Sequence, residues 1–202
     1  MMIMNNKGFS LVELLVVMSI VAIISVIAAP QYGTFVARNK VREATTDLFQ
    51  NMRLARSMAI KENRPYLITF NEGGGNNYRI GFDGNANNSL VDGLPTDGFR
   101  TGPVRFVNIQ SEFATTVAFG AASFTTLPPN GPNGMAIVDP AFFQFNPNGS
   151  VANTGTAYIQ NILGNRGFTA AVDVANLAGL IDLYMWQGNA GNPGNPVWNE
   201  LR

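Results

Sequence analysis

Lys7-Gly8-Phe9-Ser10-Leu11-Val12-Glu13-Leu14-Leu15-Val16-Val17 opens an apolar run that continues through Ile20, Ile23, Ile24 and Ile27 to Pro30. Between Phe9 and Ala29 the polar side chains are Ser10, Glu13, Ser19 and Ser25. A helix rising about 1.5 Å per residue over this stretch spans roughly 30 Å, enough to cross the hydrocarbon of a bilayer once. An ionised carboxylate inside such a span costs roughly 2.5–3.5 kcal/mol on insertion scales, so Glu13 marks a task and requires a partner. Lys7, in the short polar stretch ahead of the run, favours a cytoplasmic start; Arg38, Lys40 and Arg42 beyond the span dilute that bias.

The arrangement resembles the class III signal of type IV pilins and of the pseudopilins of type II secretion, over residues 5–30. The resemblance implies that a prepilin peptidase cuts between Gly8 and Phe9, that the new amino terminus on Phe9 is methylated, and that Phe9 and Glu13 serve filament assembly. Pro30 stands where many members of that family carry a helix-bending proline. Two plainer readings compete. A secretory signal peptide ending near Ala28-Ala29-Pro30 is disfavoured by Glu13 in its apolar stretch, by Ile27, and by proline just after the cut. A simple single-span anchor leaves Glu13 without a purpose.

The pairing has its own physics. Cleavage after Gly8 creates an α-amine with a pKa of about 8, charged near neutrality. In a bundle of apolar helices, Glu13 of one subunit can meet the amine of Phe9 on its neighbour. Such buried ion pairs add little net stability but specify register. Phe9 and Glu13 are also four apart within one helix and can pair locally, and the sequence leaves both arrangements open.

Past Pro30 the pattern changes. Val41, Ala44, Leu48, Met52, Ala55 and Ala59 recur at three and four and predict one buried stripe, while Arg38, Arg42, Asp47, Asn51, Arg53 and Lys61 fall elsewhere. Helix formers persist to Glu62, and Asn63-Arg64-Pro65 stops the helix. Pro30 lacks an N–H, so a kink or a melted turn is expected there. The segment from Asp47 to Ile60 looks like the helix of the GspH/FimT group, in which an alanine-arginine pair, here Ala55-Arg56, precedes small residues and a strand. The plain reading of that pair is stripe plus solvated edge.

The remainder predicts short, aromatic-rich antiparallel strands at Tyr66–Phe70, Tyr78–Phe82, Val104–Ile109, Thr115–Phe119, Phe142–Phe145, Ala157–Leu163, Phe168–Val174 and Ile181–Trp186. They suit a meander or two small sheets laid on the long helix, an α+β, pilin-like architecture with one core. Phe145-Asn146-Pro147-Asn148-Gly149 resembles the family's phenylalanine-proline-glycine turn with an inserted asparagine. The expected organisation is a leader over 1–8, a membrane and filament-core helix over 9–30, the amphipathic half of the helix over 31–64, and a periplasmic β domain over 65–202 with a Gly/Asn/Pro-rich loop near 188–197.

Composition narrows the chemistry. The chain has neither histidine nor cysteine, so a serine lacks its imidazole base, no thiolate is present, and the common zinc sites cannot be assembled. The acids beyond the helix form no recognisable pair for acid–base work, and no enzymatic activity or cofactor is expected. Thirteen basic and thirteen acidic residues leave no net charge, which suggests no polybasic nucleic-acid surface. Related minor pilins that capture DNA use clustered arginines near the carboxyl end, where this chain has Arg166 and Arg202, so nucleic acid is not an expected partner. Asp83, Asn85, Asn87 and Asp92 alternate oxygens as a calcium loop does, but Asn88 replaces the turn glycine and Leu94 the bidentate glutamate. A turn built on Asx hydrogen bonds is the preferred reading of that segment.

The resemblance therefore implies an assembly protein: a minor pseudopilin of the type II secretion pseudopilus, or alternatively a minor pilin of a type IV pilus serving assembly, adhesion or DNA uptake. Its implied partners are the prepilin peptidase, other pseudopilin or pilin subunits, an inner-membrane assembly platform, and membrane lipid before assembly. Its implied location is the bacterial inner membrane, single-pass with the amino terminus cytoplasmic, and then a periplasmic or surface filament.

Overall fold

The computed structural model describes residues 9–71, 75–82, 88, 90, 102–120, 142–162, 168–186 and 198–200. The chain divides into two compact units, up to Val36 and from Ala37 onward. Helix α1, Leu11–Glu62, begins in the first and ends in the second. In the first unit its large apolar side chains are exposed, Leu11 at 82% and Ile23 at 64% among them. This is the pattern of a helix built for an apolar surrounding rather than for a core of its own.

In the second unit the predicted stripe is the buried one: Val41, Ala44, Leu48, Met52, Ala55 and Ala59 are all fully enclosed. The three alanines let strands approach the helix closely, while Leu48 and Met52 each contribute about 1.5–3 kcal/mol by leaving water. The helix ends as the Asn-Arg-Pro sequence dictates. Asn63 adopts φ +52°, and the Arg64 N–H reaches back to the Ala59 carbonyl at 3.2 Å, the Schellman closure, before Pro65 forbids continuation.

Two antiparallel sheets pack on that stripe. The first contains β1 (Tyr66–Phe70), β2 (Asn77–Phe82), β3 (Gly102–Asn108) and β5 (Phe142–Phe145) in the order β3-β2-β1-β5. The second contains β4 (Val117–Phe119), β6 (Gly155–Asn161), β7 (Thr169–Val174), β8 (Ile181–Trp186) and β9 (Trp198–Glu200) in the order β4-β6-β7-β8-β9. Register is set by the apolar inward positions. Ile68 faces Ile80 and Phe143, and Val172 faces Ala157 and Leu183, so these apolar positions line the two inner faces. Phe70 joins the sheets, meeting Phe119 of β4 edge-on at 5.3 Å and Phe143 of β5 at 5.8 Å. One core therefore contains the helix stripe and both inner faces.

Several strand limits differ from the sequence pattern. Ile109 leaves β3 to begin a one-turn helix, α2 (Ile109–Glu112), because the Asn108 side chain accepts the Ser111 N–H at 3.1 Å and caps that turn. Strand β9 was not anticipated from sequence, since its three residues carry too little pattern to be seen. The outward residues Leu67 and Thr69 of β1 are buried as well as the inward ones, so this strand is enclosed on both faces rather than half-buried. Asn51, expected off the apolar stripe, is nonetheless 3% exposed, held by polar partners described below. The helical assignment runs unbroken through residue 30, so no melted turn separates its halves.

Candidate functional site

At the start of α1, Ser10 acts as the cap. Its Oγ accepts the Glu13 N–H at 3.3 Å and its carbonyl accepts the Leu14 N–H at 3.2 Å. Glu13 thus lies in the first turn, where the positive end of the helix dipole favours a carboxylate. Ser19 and Ser25 donate back to the Leu15 and Val21 carbonyls at 2.8 and 2.7 Å, so their hydroxyls need no outside partner. What remains polar on this surface is Glu13, amid exposed Leu11, Val12, Leu14 and Val16. The helix is long and apolar enough to cross a membrane, and its apolar stretch is not buried. Phe9 is described and exposed, whereas Gly8 lies outside the described residues.

The far end of the helix carries a different device. Arg56, next to buried Ala55, directs its Nε to the Gly149 carbonyl at 2.8 Å and its Nη2 to the Ala178 carbonyl at 2.9 Å. One guanidinium fork thereby joins the helix to the turn after β5 and to the turn between β7 and β8, one from each sheet. Both turns require glycine. Gly149 has φ +79° and Gly179 φ +78°, and a Cβ on Gly179 would fall 2.6 Å from the Gly149 carbonyl oxygen and 3.0 Å from the Arg56 Nε. The turns are themselves closed, with Gly149 N–H on the Asn146 carbonyl at 2.9 Å and Gly179 N–H on the Asn176 carbonyl at 3.0 Å. Arg56 is thus neither part of the stripe nor a solvated edge; this role was not legible in the sequence.

A second polar junction lies one and a half turns earlier. Tyr78 of β2 donates its hydroxyl to Asp47, Asn51 donates to Asp47 at 3.0 Å and to the Tyr78 oxygen at 2.6 Å, and Arg105 of β3 reaches Asp47 at 3.1 Å. Burial, followed by the neighbouring Asp47 carboxylate, pushes the Tyr78 phenol far above its ordinary range, so it stays a donor at all working pH. Asn51 is tolerated inside because its amide is satisfied. These residues were unremarkable as sequence; only the pairing of β2 with β3 brings Arg105 to Asp47.

Among the described residues no three acidic, histidine or cysteine side chains converge as metal ligands. The calcium candidates Asp83, Asn85, Asn87 and Asp92 lie outside the described residues; their neighbour Asn88 has φ +60°, a turn conformation that asparagine accepts.

The exposed apolar helix with its capped carboxylate and the helix-on-sheets domain behind it have recognisable relatives. Residues 3–29 match the prokaryotic N-terminal methylation motif, and residues 44–178, more than half of the chain, match the family described as type II transport protein GspH. The chain belongs to the GspH family. This GspH-family chain is 33% identical over 88 residues to a fimbrial protein of Pseudomonas aeruginosa, covering 44% of the chain and 54% of that protein. It is 46% identical over 44 residues to the type IV major pilin protein PilA of Myxococcus xanthus, covering 22% of the chain and 20% of PilA. The chain thus spans only about half the length of the Pseudomonas relative. Among solved structures, the type IV minor pilin FimU of Pseudomonas aeruginosa superposes with a TM-score of 0.48 at 18% identity, over 81% of the chain and 96% of FimU. The GspH-family protein is therefore type IV pilin-like, a pseudopilin or pilin subunit with a helix-on-sheets α+β fold.

Proposed function

We propose that the protein is a minor pseudopilin of a type II secretion pseudopilus, with a minor pilin of a type IV pilus as the alternative. In this reading a prepilin peptidase removes residues 1–8, Phe9 is methylated, and the mature subunit waits in the inner membrane on its apolar helix with the β domain in the periplasm. An assembly platform then moves it into a filament among other pilin-like subunits. Pro30 weakens the helix locally and allows it to bend in the packed state.

The observation that carries the reading is Glu13 standing as the sole charged side chain between Phe9 and Val36, within a match to the N-terminal methylation motif and ahead of a GspH-family domain. The partner it requires is the amine that cleavage would create on Phe9 of a neighbouring subunit. The intact mass of the protein from cells with and without the peptidase tests the first step. The expected product begins at Phe9 and is one methyl group heavier than the bare sequence. A protein still carrying Met1, or trimmed through Ala29, overturns the reading. Restoration of protein secretion in a strain lacking its own H-type pseudopilin favours the pseudopilus; restoration of pilus assembly alone favours the alternative.

A further inference from the structure

The chain's neutrality conceals a division. Residues 37–64 hold seven basic and three acidic side chains, net +4, whereas residues 65–202 hold five basic and nine acidic, net −4. Most charges of the described helix face are used internally: Lys40 pairs with Glu43, Arg64 with Glu62, Asp47 with Arg105, and Arg56 holds the two turns. Arg42, Arg53 and Lys61 are exposed and form no ion pair among the described residues. They lie 11 and 8 residues apart on the solvent side of the helix, about 16 and 12 Å in sequence along the axis. Ile60 and Leu54, 52% and 44% exposed, lie on the same side. This is a cationic face with apolar points that stays exposed among the described residues.

The complementary surface is on the second sheet. Strand pairing sets Asp182 directly opposite Asp173, and Glu200 opposite Tyr184, the residue two beyond Asp182 on the same face. Like charges so placed repel across a sheet. Burial and then the charge of Glu200 raise the Asp182 carboxyl above its ordinary range, and Asp182 has no ion pair among the described residues. Leu180, half exposed, leads into β8 beside this edge.

We infer that the partner of the cationic helix face is a second copy of this chain, which presents the acidic β8–β9 edge around Asp182 and Glu200. The helix face and the sheet edge are different surfaces, so the contact is heterologous, and each copy offers one face of either sign to the next. The inference rests on the filament-subunit reading and narrows it: the subunit can follow itself in a filament rather than stand singly at one end.

The test uses the full chain in detergent micelles, with association followed by sedimentation velocity at about 0.1 M and about 1 M salt, where screening lengths are about 10 and about 3 Å. The parent is expected to self-associate at low salt and to dissociate at high salt. Arg53→Glu with Lys61→Glu, and separately Asp182→Lys with Glu200→Lys, should each weaken association by roughly tenfold or more. Mixing the two variants should restore continued association of alternating copies, because the acidic edge of the first meets the basic helix face of the second and the basic edge of the second meets the acidic helix face of the first. Combining all four changes in one chain should restore continued association. If the acidic-edge pair lowers the melting temperature, Asp182→Lys alone takes its place. A parent that is single at low salt, a reversed variant that associates as the parent does, or a mixture that fails to recover would each overturn the inference. Leader cleavage is read independently by mass, so failure here with normal processing removes the docking surface and leaves the filament reading intact, whereas absent processing removes that reading alone.

Discussion

Replacing Arg56 by alanine probes the junction on which the β domain depends. The Nε–Gly149 bond is partly buried and charge-assisted, a class worth about 1.5–3 kcal/mol, while the Nη2–Ala178 bond faces solvent and contributes about 0.5–1 kcal/mol. The expected loss is therefore about 2–4 kcal/mol. A domain of this size shifts its melting temperature by about 2–4 °C per kcal/mol, so a fall of roughly 5–15 °C should follow. Arg56→Lys keeps the charge but not the fork, reaches one carbonyl rather than two, and should recover about half of the loss. Gly179→Ala attacks the same place from the other side, since its Cβ meets a backbone oxygen at 2.6 Å and its φ of +78° strains any side chain. Because Arg56 is one of the atoms that Cβ meets, the double variant should lose less than the two single losses combined. Thermal and urea unfolding, followed by the fluorescence of buried Trp186, measures the parent and all four variants. If Arg56→Ala unfolds within about 0.5 kcal/mol of the parent, or the double variant is additive, the junction is not what holds the two turns to the helix.

Tyr78→Phe should cost about 1–2 kcal/mol by depriving Asp47 of a donor and the buried Asn51 amide of an acceptor, seen in the same unfolding measurements. Asp173, fully buried and hydrogen-bonded to Thr156 at 2.6 Å, has its carboxyl raised above 3.8 chiefly by burial, against the Thr156 bond. The folded state then holds that proton more tightly than the unfolded chain, so its stabilising effect is complete below about pH 4 and is lost as pH rises through the folded value. Asp173→Asn should accordingly show a flatter stability profile above pH 4, and an unchanged profile would argue against a raised carboxyl. Glu13→Ala should insert into the membrane normally, scored by fractionation, yet fail to enter filaments; normal incorporation would refute the charge pairing.

The parts of the fold legible in the sequence were those governed by local periodicity. The stripe from Val41 to Ala59 repeats at three and four, so each member could be assigned to the core before any contact was known. The stop at Asn63-Arg64-Pro65 is likewise local chemistry. Strand limits were less legible, because Asn108 ends β3 by capping α2, and β9 is too short to show alternation. The burial of Asn51 was not legible because its partner Tyr78 meets it only when β2 reaches the helix. At the candidate site, Glu13 stood out because a charge in an apolar run is costly wherever it occurs. The function of Arg56 was hidden, since its acceptors are backbone carbonyls, which leave no mark in a sequence.

The reach of Arg56 also orders events in time. Its two acceptors lie 93 and 122 residues further along the chain, so the helix end cannot be locked until nearly all of the β domain has been synthesised. At about 5–20 residues per second the wait from Arg56 to Ala178 is roughly 6–24 s, long compared with the time a helix needs to form. During that interval the subunit carries a finished rod and an unfinished head, and any factor that escorts it must act before its last strands arrive.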